Sequence, residues 1–314
     1  MNEPIFLQPI FQERIWGGTK LKDLFGYEIP NEHTGECWAI SAHPNGQSTV
    51  KNGPFQGMKL GDLWTSQPEL FHSESKVFPL LTKLLDASDD LSVQVHPDDE
   101  YAGKHENGEL GKTECWYIVD AEPGAVIIYG HGAQTKEELV QMIENGDWDR
   151  FLTKVPVKPG DFFYVPSGTL HALGKGIVVL ETQQSSDTTY RVYDYDRRDK
   201  DGNTRELHLK KAIDVTGVPQ VYEPVHYETV QQDGLTVTSF VSNSFFTVEK
   251  WNVAGEAKPA VNKKYTIFSV LSGKGSLEVN GHTYELTKGD HFILPAGFGP
   301  YSLKGELEFI MAHE

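Results

Sequence analysis

Polar and apolar residues alternate in short runs along most of this chain, the period-2 pattern of half-buried strands. Residues 91–116, LSVQVHPDDEYAGKHENGELGKTECW, show it most clearly. Read as two strands joined by a long loop, this stretch puts Ser92, Gln94 and His96 on one face of the first strand and Val93 and Val95 on the other. Lys112, Glu114 and Trp116 share one face of the second. Upstream, residues 1–90 hold several β-type runs punctuated by Pro-Asn-Gly, Asn-Gly-Pro and Ser-Asp-Asp, which is loop chemistry. His43-Pro44 imitates His96-Pro97 but lacks its upstream polar pattern, so His43 reads as a surface or turn histidine.

Helical spacing is confined to a few places. Residues 98–102 can start a short helix, with aspartates at the cap and in the first turn. Thr135-Lys136-Glu137-Glu138 fits a capping box ahead of Leu139, Met142 and Ile143, and Asn145-Gly146 stops that helix. A third is expected near residues 207–215. Residues 216–235 are loop-like, so a boundary is expected there, with strand material resuming beyond it. The expected architecture is mainly β with a few short helices, one unit covering residues 1–220 and a second covering 221–314.

The two units carry versions of one motif. Gly160, Pro166, Gly168 and His171 meet the spacing G-x5-P-x-G-x2-H, while Gly289, Pro295 and Gly297 repeat it with Pro300 in place of the histidine. This resembles the second sequence motif of cupin barrels, whose turn sends the histidine into the barrel. Two cupin-like jelly-roll barrels are therefore expected: a metal-binding catalytic one, and a second that lacks the metal histidine and closes the edges of the first. His282, His291 and His313 lack ligand spacing and read as structural or exposed.

Composition narrows the classes of partner. A formal charge of −17 over 314 residues argues against nucleic acid, which wants a basic face. No run of about 18 apolar residues exists to span a membrane. The first residues are acidic and interrupted by proline where a signal peptide needs a basic start, so a cytoplasmic location is expected. Cys37 and Cys115 each follow a glutamate and precede a tryptophan, and read as small buried hydrophobes.

In so acidic a chain, the candidate chemistry lies where cations and ligands gather. Gln94, His96, Glu114 and His171 offer two nitrogens and two oxygens, a set suited to zinc with room for a further oxygen; iron or manganese fits nearly as well on ligand type. Any one of them alone would read as a satisfied core residue. Residues 177–181 read as a buried strand ending in Glu181. If residues 190–197 are extended, Arg191, Tyr193, Tyr195 and Arg197 share one face and join Lys112 near the metal. Pairing of Arg197 and Arg198 with Asp194, Asp196 and Asp199 is the competing account.

Six signatures together make the chain resemble the type I phosphomannose isomerases, in the shorter bacterial form without a large helical insertion. They are WGG at 16–18, GECWAIS at 35–41, LSVQVHPDD at 91–99, GKTECWYI at 111–118, VPSGTLHAL at 165–173, and E-T-x-x-x-S-D-x-x-x-R from Glu181 to Arg191. The resemblance implies a zinc-dependent aldose–ketose isomerase interconverting mannose 6-phosphate and fructose 6-phosphate through a cis-enediolate. It implies one zinc per chain on Gln94, His96, Glu114 and His171, and catalytic roles for Arg191, Glu181 and Lys112. Ser92, Lys112, Arg191 and Arg197 are expected on the substrate. Better-known members carry Thr-Pro-Lys where this chain has Tyr195-Asp196-Arg197, and an arginine fork is not equivalent to a lysine point charge. Glu181 is the first choice of general base, a hydroxide on the metal the second. The expected partner is a small sugar phosphate, with no nucleic acid or membrane, in a monomer or weak homodimer. Rival readings are an isomerase of another sugar phosphate, an iron oxygenase (against which a Gln/Glu-containing set argues) and a non-catalytic sugar-phosphate sensor.

Overall fold

Strands buried on both faces decide the architecture. The computed structural model describes residues 3–199, 201–220, 225–260 and 263–314, so the start of the expected second unit at 221–224 lies outside the described residues. A six-stranded sheet runs in the order Phe162–Val165, Glu114–Ala121, Ile177–Gln184, Leu80–Ala87, Thr34–Ile40, Ile10–Gly18. Opposite it lies a five-stranded sheet in the order Leu152–Pro156, Val126–His131, His171–Leu173, Val93–Val95, Tyr190–Tyr193. Pairing is antiparallel throughout, and Trp116, Ile118, Val179 and Leu85 from one sheet pack with Ile127 and Leu173 from the other. This is the two-layer core of a jelly roll.

The outer face of the six-stranded sheet is covered as well. Cys37, Leu84, Cys115, Tyr117, Phe162 and Leu180 pack against Phe240, Phe246, Ile267 and Ile310 of the C-terminal sheet. Both cysteines are fully buried free thiols on that face, turned away from their neighbouring glutamates, and burial pushes both thiols above their ordinary range. Helices cover the five-stranded sheet: Leu139, Met142, Ile143, Phe151 and Ala212 close over Val93, Val95 and Val192.

The expected helices form at Asp99–His105, Lys136–Asn145 and Leu209–Val215, and Lys20–Phe25, Leu60–Ser66 and Trp148–Phe151 add three that periodicity did not indicate. Asp98 caps the first by accepting from the Tyr101 N–H at 2.8 Å, and Thr135 caps the second by accepting from the Glu138 N–H at 3.2 Å.

The C-terminal sheet has nine strands around its own core of Trp251, Phe268, Phe292 and Phe309. The start of the chain joins it, Ile5–Gln8 pairing with His291–Leu294 and, on its other side, with Thr49–Val50 at the edge. The loop-like stretch before it is partly a strand: Glu228–Gln232 forms a hairpin with Leu235–Ser242, turning at Gly234 with φ +69°. Its all-exposed side chains hide the alternation that marks a strand. The glycine motif makes the same turn twice, Gly160 and Gly289 both standing at φ +92° and Gly168 and Gly297 at +83° and +66°. Among the described residues no helix is long and apolar enough to cross a membrane.

Candidate active site

The two strands of residues 91–116 do not form a hairpin. Val93–Val95 lies in the five-stranded sheet and Glu114–Ala121 in the six-stranded one, with Asp99–His105 helical between them. Their polar faces meet because each points into the same space between the sheets. Gln94 stands directly opposite His171 in register, and Glu114 arrives from the facing sheet. The turn that carries His171 is tied to its partner ligand, since the Gly168 N–H donates to the His96 carbonyl at 2.8 Å.

Two backbone carbonyls orient the imidazoles. His96 Nδ1 donates to Thr188 O at 2.9 Å and His171 Nδ1 to Thr169 O at 2.8 Å, so both Nε2 lone pairs face the cluster. The two Nε2 atoms are 3.1 Å apart. His96 Nε2 is 3.5 Å from Glu114 Oε2, and His171 Nε2 is 3.4 Å from Glu114 Oε1. A tetrahedral ion with bonds of about 2.0–2.1 Å separates its ligands by about 3.3–3.4 Å, so these spacings fit a metal. The donors are fully buried, and apart from an ion pair with Lys112 neither Glu114 oxygen has a hydrogen-bond partner among the described residues. A buried carboxylate facing two lone pairs is costly unless a cation sits among them. His96, Glu114 and His171 are therefore a possible metal site. The Gln94 amide lies 3.4 Å from His171 Nε2, and turning it about its last bond presents its oxygen at the same place. Burial foremost, then the Lys112 charge, drives the His96 imidazole well below its ordinary range. Burial likewise takes His171 down to about 4. Both therefore stay neutral at neutral pH, the state a ligand needs.

Beside this cluster opens a cleft of about 300 Å³, lined by Ser92, Gln94, Lys112, Glu181 and Arg191 together with Lys83, Glu36, Arg14 and Arg205. Lys112 Nζ is 3.1 Å from Glu114 Oε2 and 3.1 Å from His96 Nε2. Burial opposes its charge, but Glu114 and then Glu181 win and hold the ammonium above the usual lysine range. Glu181 stands opposite Lys83 on one neighbouring strand and Trp116 on the other. Its Oε2 accepts from Trp116 Nε1 at 2.9 Å, and its Oε1 lies 3.7 Å from Lys83 Nζ. Burial and then Glu114 raise its carboxyl pKa against the pull of Lys112 and Lys83. Arg191 Nε donates to Ser92 Oγ at 3.2 Å, and its Nη1 to the Glu206 carbonyl at 2.9 Å.

Arg197 is placed elsewhere. The strand Tyr190–Tyr193 ends before it, and Tyr195 and Asp196 take left-handed conformations at φ +58° and +53°. That turn breaks the alternation that would have aligned Arg197 with Arg191. Its guanidinium covers the Tyr195 ring, donates to the Asp90 carbonyl and lies 3.9 Å from Asp89. His43 is buried rather than superficial, edge-on to Trp38.

Lys83, Glu36, Arg14 and Arg205 line the cleft but escaped the sequence reading, as did Asp187 and Thr189. Glu36 accepts from both Arg14 Nε and Nη2 at 3.1 Å and from Trp38 Nε1 at 2.6 Å. Burial would raise its carboxyl pKa, but Lys83 and Arg14 hold it at about 2. One signal was available. Lys83 is the single charge in the first six residues of Leu80–Ala87, LLTKLLDA, and a lysine inside a fully buried strand needs an anion beside it.

Known proteins share this chain's sequence and fold along its length. The family description "Phosphomannose isomerase type I, catalytic domain" matches residues 5–119, and "Mannose-6-phosphate isomerase, cupin domain" matches residues 236–314. Mannose-6-phosphate isomerase ManA of Bacillus subtilis (strain 168) is 56% identical over 315 residues, covering 99% of both chains. The chain belongs to the type I phosphomannose isomerases. A mannose-6-phosphate isomerase of Streptococcus mutans is 57% identical over 316 residues, covering 100% of this chain and 99% of its own. The crystal structure of the mannose 6-phosphate isomerase from Bacillus subtilis superposes with a TM-score of 0.97 at 55% identity, over 99% of each chain. Such agreement carries the jelly-roll architecture of this isomerase family over the whole length.

Proposed function

We infer that this chain is an aldose–ketose isomerase interconverting mannose 6-phosphate and fructose 6-phosphate, and that its metal is zinc. The observation that carries the reading is a buried metal-type donor set standing beside a cleft that holds a carboxylate whose pKa is raised. Full-length likeness to named mannose-6-phosphate isomerases supports the substrate. Gln94, His96, Glu114 and His171 would hold the zinc, two nitrogens and two oxygens being a set it accepts. Bound there, zinc supplies the electrophile that polarises the sugar carbonyl.

The chain's own residues do the rest. Isomerisation moves a hydrogen between C1 and C2, removing a proton beside a carbonyl and returning it to the neighbouring carbon through a cis-enediolate. Glu181 is the base we assign to that proton. Its Oε1 has no hydrogen-bond partner among the described residues, and its raised pKa suits a group that must both take and return a proton. Trp116 Nε1 fixes the other oxygen, so Oε1, ion-paired with Lys83 but not hydrogen-bonded, keeps its aim. Lys112 stays cationic beside the cluster and favours the negative charge that develops on the enediolate oxygens. Ser92 and Arg191 bind toward the phosphate end. The test is conversion of mannose 6-phosphate in D2O. Fructose 6-phosphate carrying solvent deuterium at C1 is expected; absence of turnover in folded, zinc-loaded protein sinks the reading.

A further inference from the structure

We propose that Arg205, held by Asp194, is a second guanidinium of the phosphate subsite and, with Arg191 and Ser92, sets the preference for a phosphorylated over a free sugar. This rests on the isomerase reading above and extends it to a residue outside the sequence signatures.

The cations of this cleft differ in what they have left to give. Lys83 is committed to Glu181 and the Trp38 ring, and Lys112 to Glu114 and His96. Arg14 uses Nε and Nη2 on Glu36 and Nη1 on the Glu13 carbonyl. Arg191 and Arg205 differ from these. Arg191 has no carboxylate partner among the described residues, and its Nη2 makes no hydrogen bond there. Arg205 directs Nε and Nη2 onto the two oxygens of Asp194, at 2.7 and 2.5 Å, which leaves its Nη1 edge without a partner among the described residues. Both side chains line the same cleft, and the positive charge of Arg205 acts on Arg191. Ser92 Oγ accepts from Arg191 Nε, so its own O–H is available to donate.

Two neighbouring guanidiniums, one of them without an ion-pair partner among the described residues, and the Ser92 hydroxyl beside it are built for an oxyanion with several acceptor oxygens. The bidentate hold of the buried Asp194 fixes the direction of the Arg205 fork before anything binds, which lowers the ordering cost of binding. Arg205 is a binding residue in this account and Asp194 a positioning one.

The experiment compares wild type, Arg205→Gln, Arg205→Lys and Asp194→Asn as zinc-loaded full-length proteins. Each is checked for an unchanged circular dichroism spectrum. Three readouts are taken: kcat and KM on mannose 6-phosphate, kcat/KM on free mannose, and the inhibition constant of inorganic phosphate. For Arg205→Gln we expect KM and the phosphate inhibition constant to rise together, by about 10- to 100-fold for the loss of charge-assisted hydrogen bonds, with kcat and the free-mannose reaction within about twofold. Arg205→Lys recovers only part, because an ammonium cannot be gripped as a fork. Asp194→Asn moves the same constants in the same direction by less. Unchanged KM and phosphate inhibition in Arg205→Gln overturn the proposal, as does a fall in kcat alone. Should Arg205→Gln not fold, Asp194→Asn decides on the same readouts. Should wild type turn over no mannose 6-phosphate, the isomerase reading fails separately. Calorimetric titration of wild type and Arg205→Gln with inorganic phosphate then still tests Arg205.

Discussion

Replacing Glu181 by Gln separates the chemistry of this cleft from its architecture. The substitution keeps the side-chain shape and leaves an amide oxygen to accept from Trp116 Nε1, but it removes the negative charge 3.7 Å from Lys83 Nζ. Both side chains are only 4% exposed, so solvent screens the pair little. At an effective dielectric near 20, unit charges at that separation attract by about 4.5 kcal/mol. Breaking a buried pair from one side commonly costs about 3–5 kcal/mol. Here Glu36 still faces Lys83, so we expect a loss of roughly 2–4 kcal/mol in urea unfolding. As the assigned base, Glu181 should also carry about 10²- to 10⁴-fold of kcat. The assay is kcat, KM and unfolding free energy for Glu181→Gln, Lys83→Met and the double variant. The double variant has no orphan buried ammonium, so it should regain most of the stability while staying inactive. A Glu181→Gln enzyme with kcat within fivefold of wild type would refute the assignment of the base. A double variant that recovers activity together with stability would show that Glu181 serves the fold and not the reaction.

Further expectations follow from the same geometry. His171→Ala and Glu114→Ala should each lose stoichiometric zinc by elemental analysis and reduce kcat/KM by more than about 100-fold; full zinc content in either would remove that residue from the ligand set. Gly168 stands at φ +83°, where a Cβ would lie 3.0 Å from the Val215 carbonyl oxygen, so Gly168→Ala should cost about 1–3 kcal/mol and lower zinc affinity by shifting the turn that carries His171. Unchanged unfolding and zinc affinity would mean that the turn tolerates the strain. In the C-terminal sheet, His291 is buried between Tyr27 Oη at 2.8 Å and Ser269 Oγ at 2.9 Å, and burial, then Lys51, takes its imidazole down to about 3. The unfolded chain therefore binds a proton near pH 6.5 that the folded chain refuses until about pH 3. Its contribution to stability is present above pH 6.5 and falls as pH drops toward 3, by up to about 1.4 kcal/mol per unit. Urea unfolding of His291→Asn should lose less stability than wild type between pH 6.5 and 4; parallel curves would refute this.

How much of this could be read from the chain depends on how local each determinant is. His171 was legible because a turn built on Gly160, Pro166 and Gly168 fixes where it points, and those residues are neighbours in sequence. Gln94 and His96 were legible as the polar face of an alternating strand, but which sheet that strand joins was not: Glu114 comes from the opposite sheet, and alternation cannot say which sheet a strand joins. Lys83 and Glu36 became part of the cleft only through register, Lys83 opposite Glu181 and Trp38. Arg197 shows the reverse failure. The period-2 count set Arg191 in the cleft, but a register shift between Arg191 and Tyr193 and then two successive left-handed residues broke the alternation where no glycine announced it. Glu228–Gln232 was hidden in the same way, as an edge strand without a buried face.

The central claim is a metal-dependent isomerase, and chelation tests it most directly. Conversion of mannose 6-phosphate to fructose 6-phosphate is followed before chelation, after removal of metal verified by elemental analysis, and after zinc is added back to the folded protein. Activity should fall to background on chelation and return with stoichiometric zinc. Metal-free protein that still converts the sugar phosphate, or folded zinc-loaded protein that never does, would contradict the account.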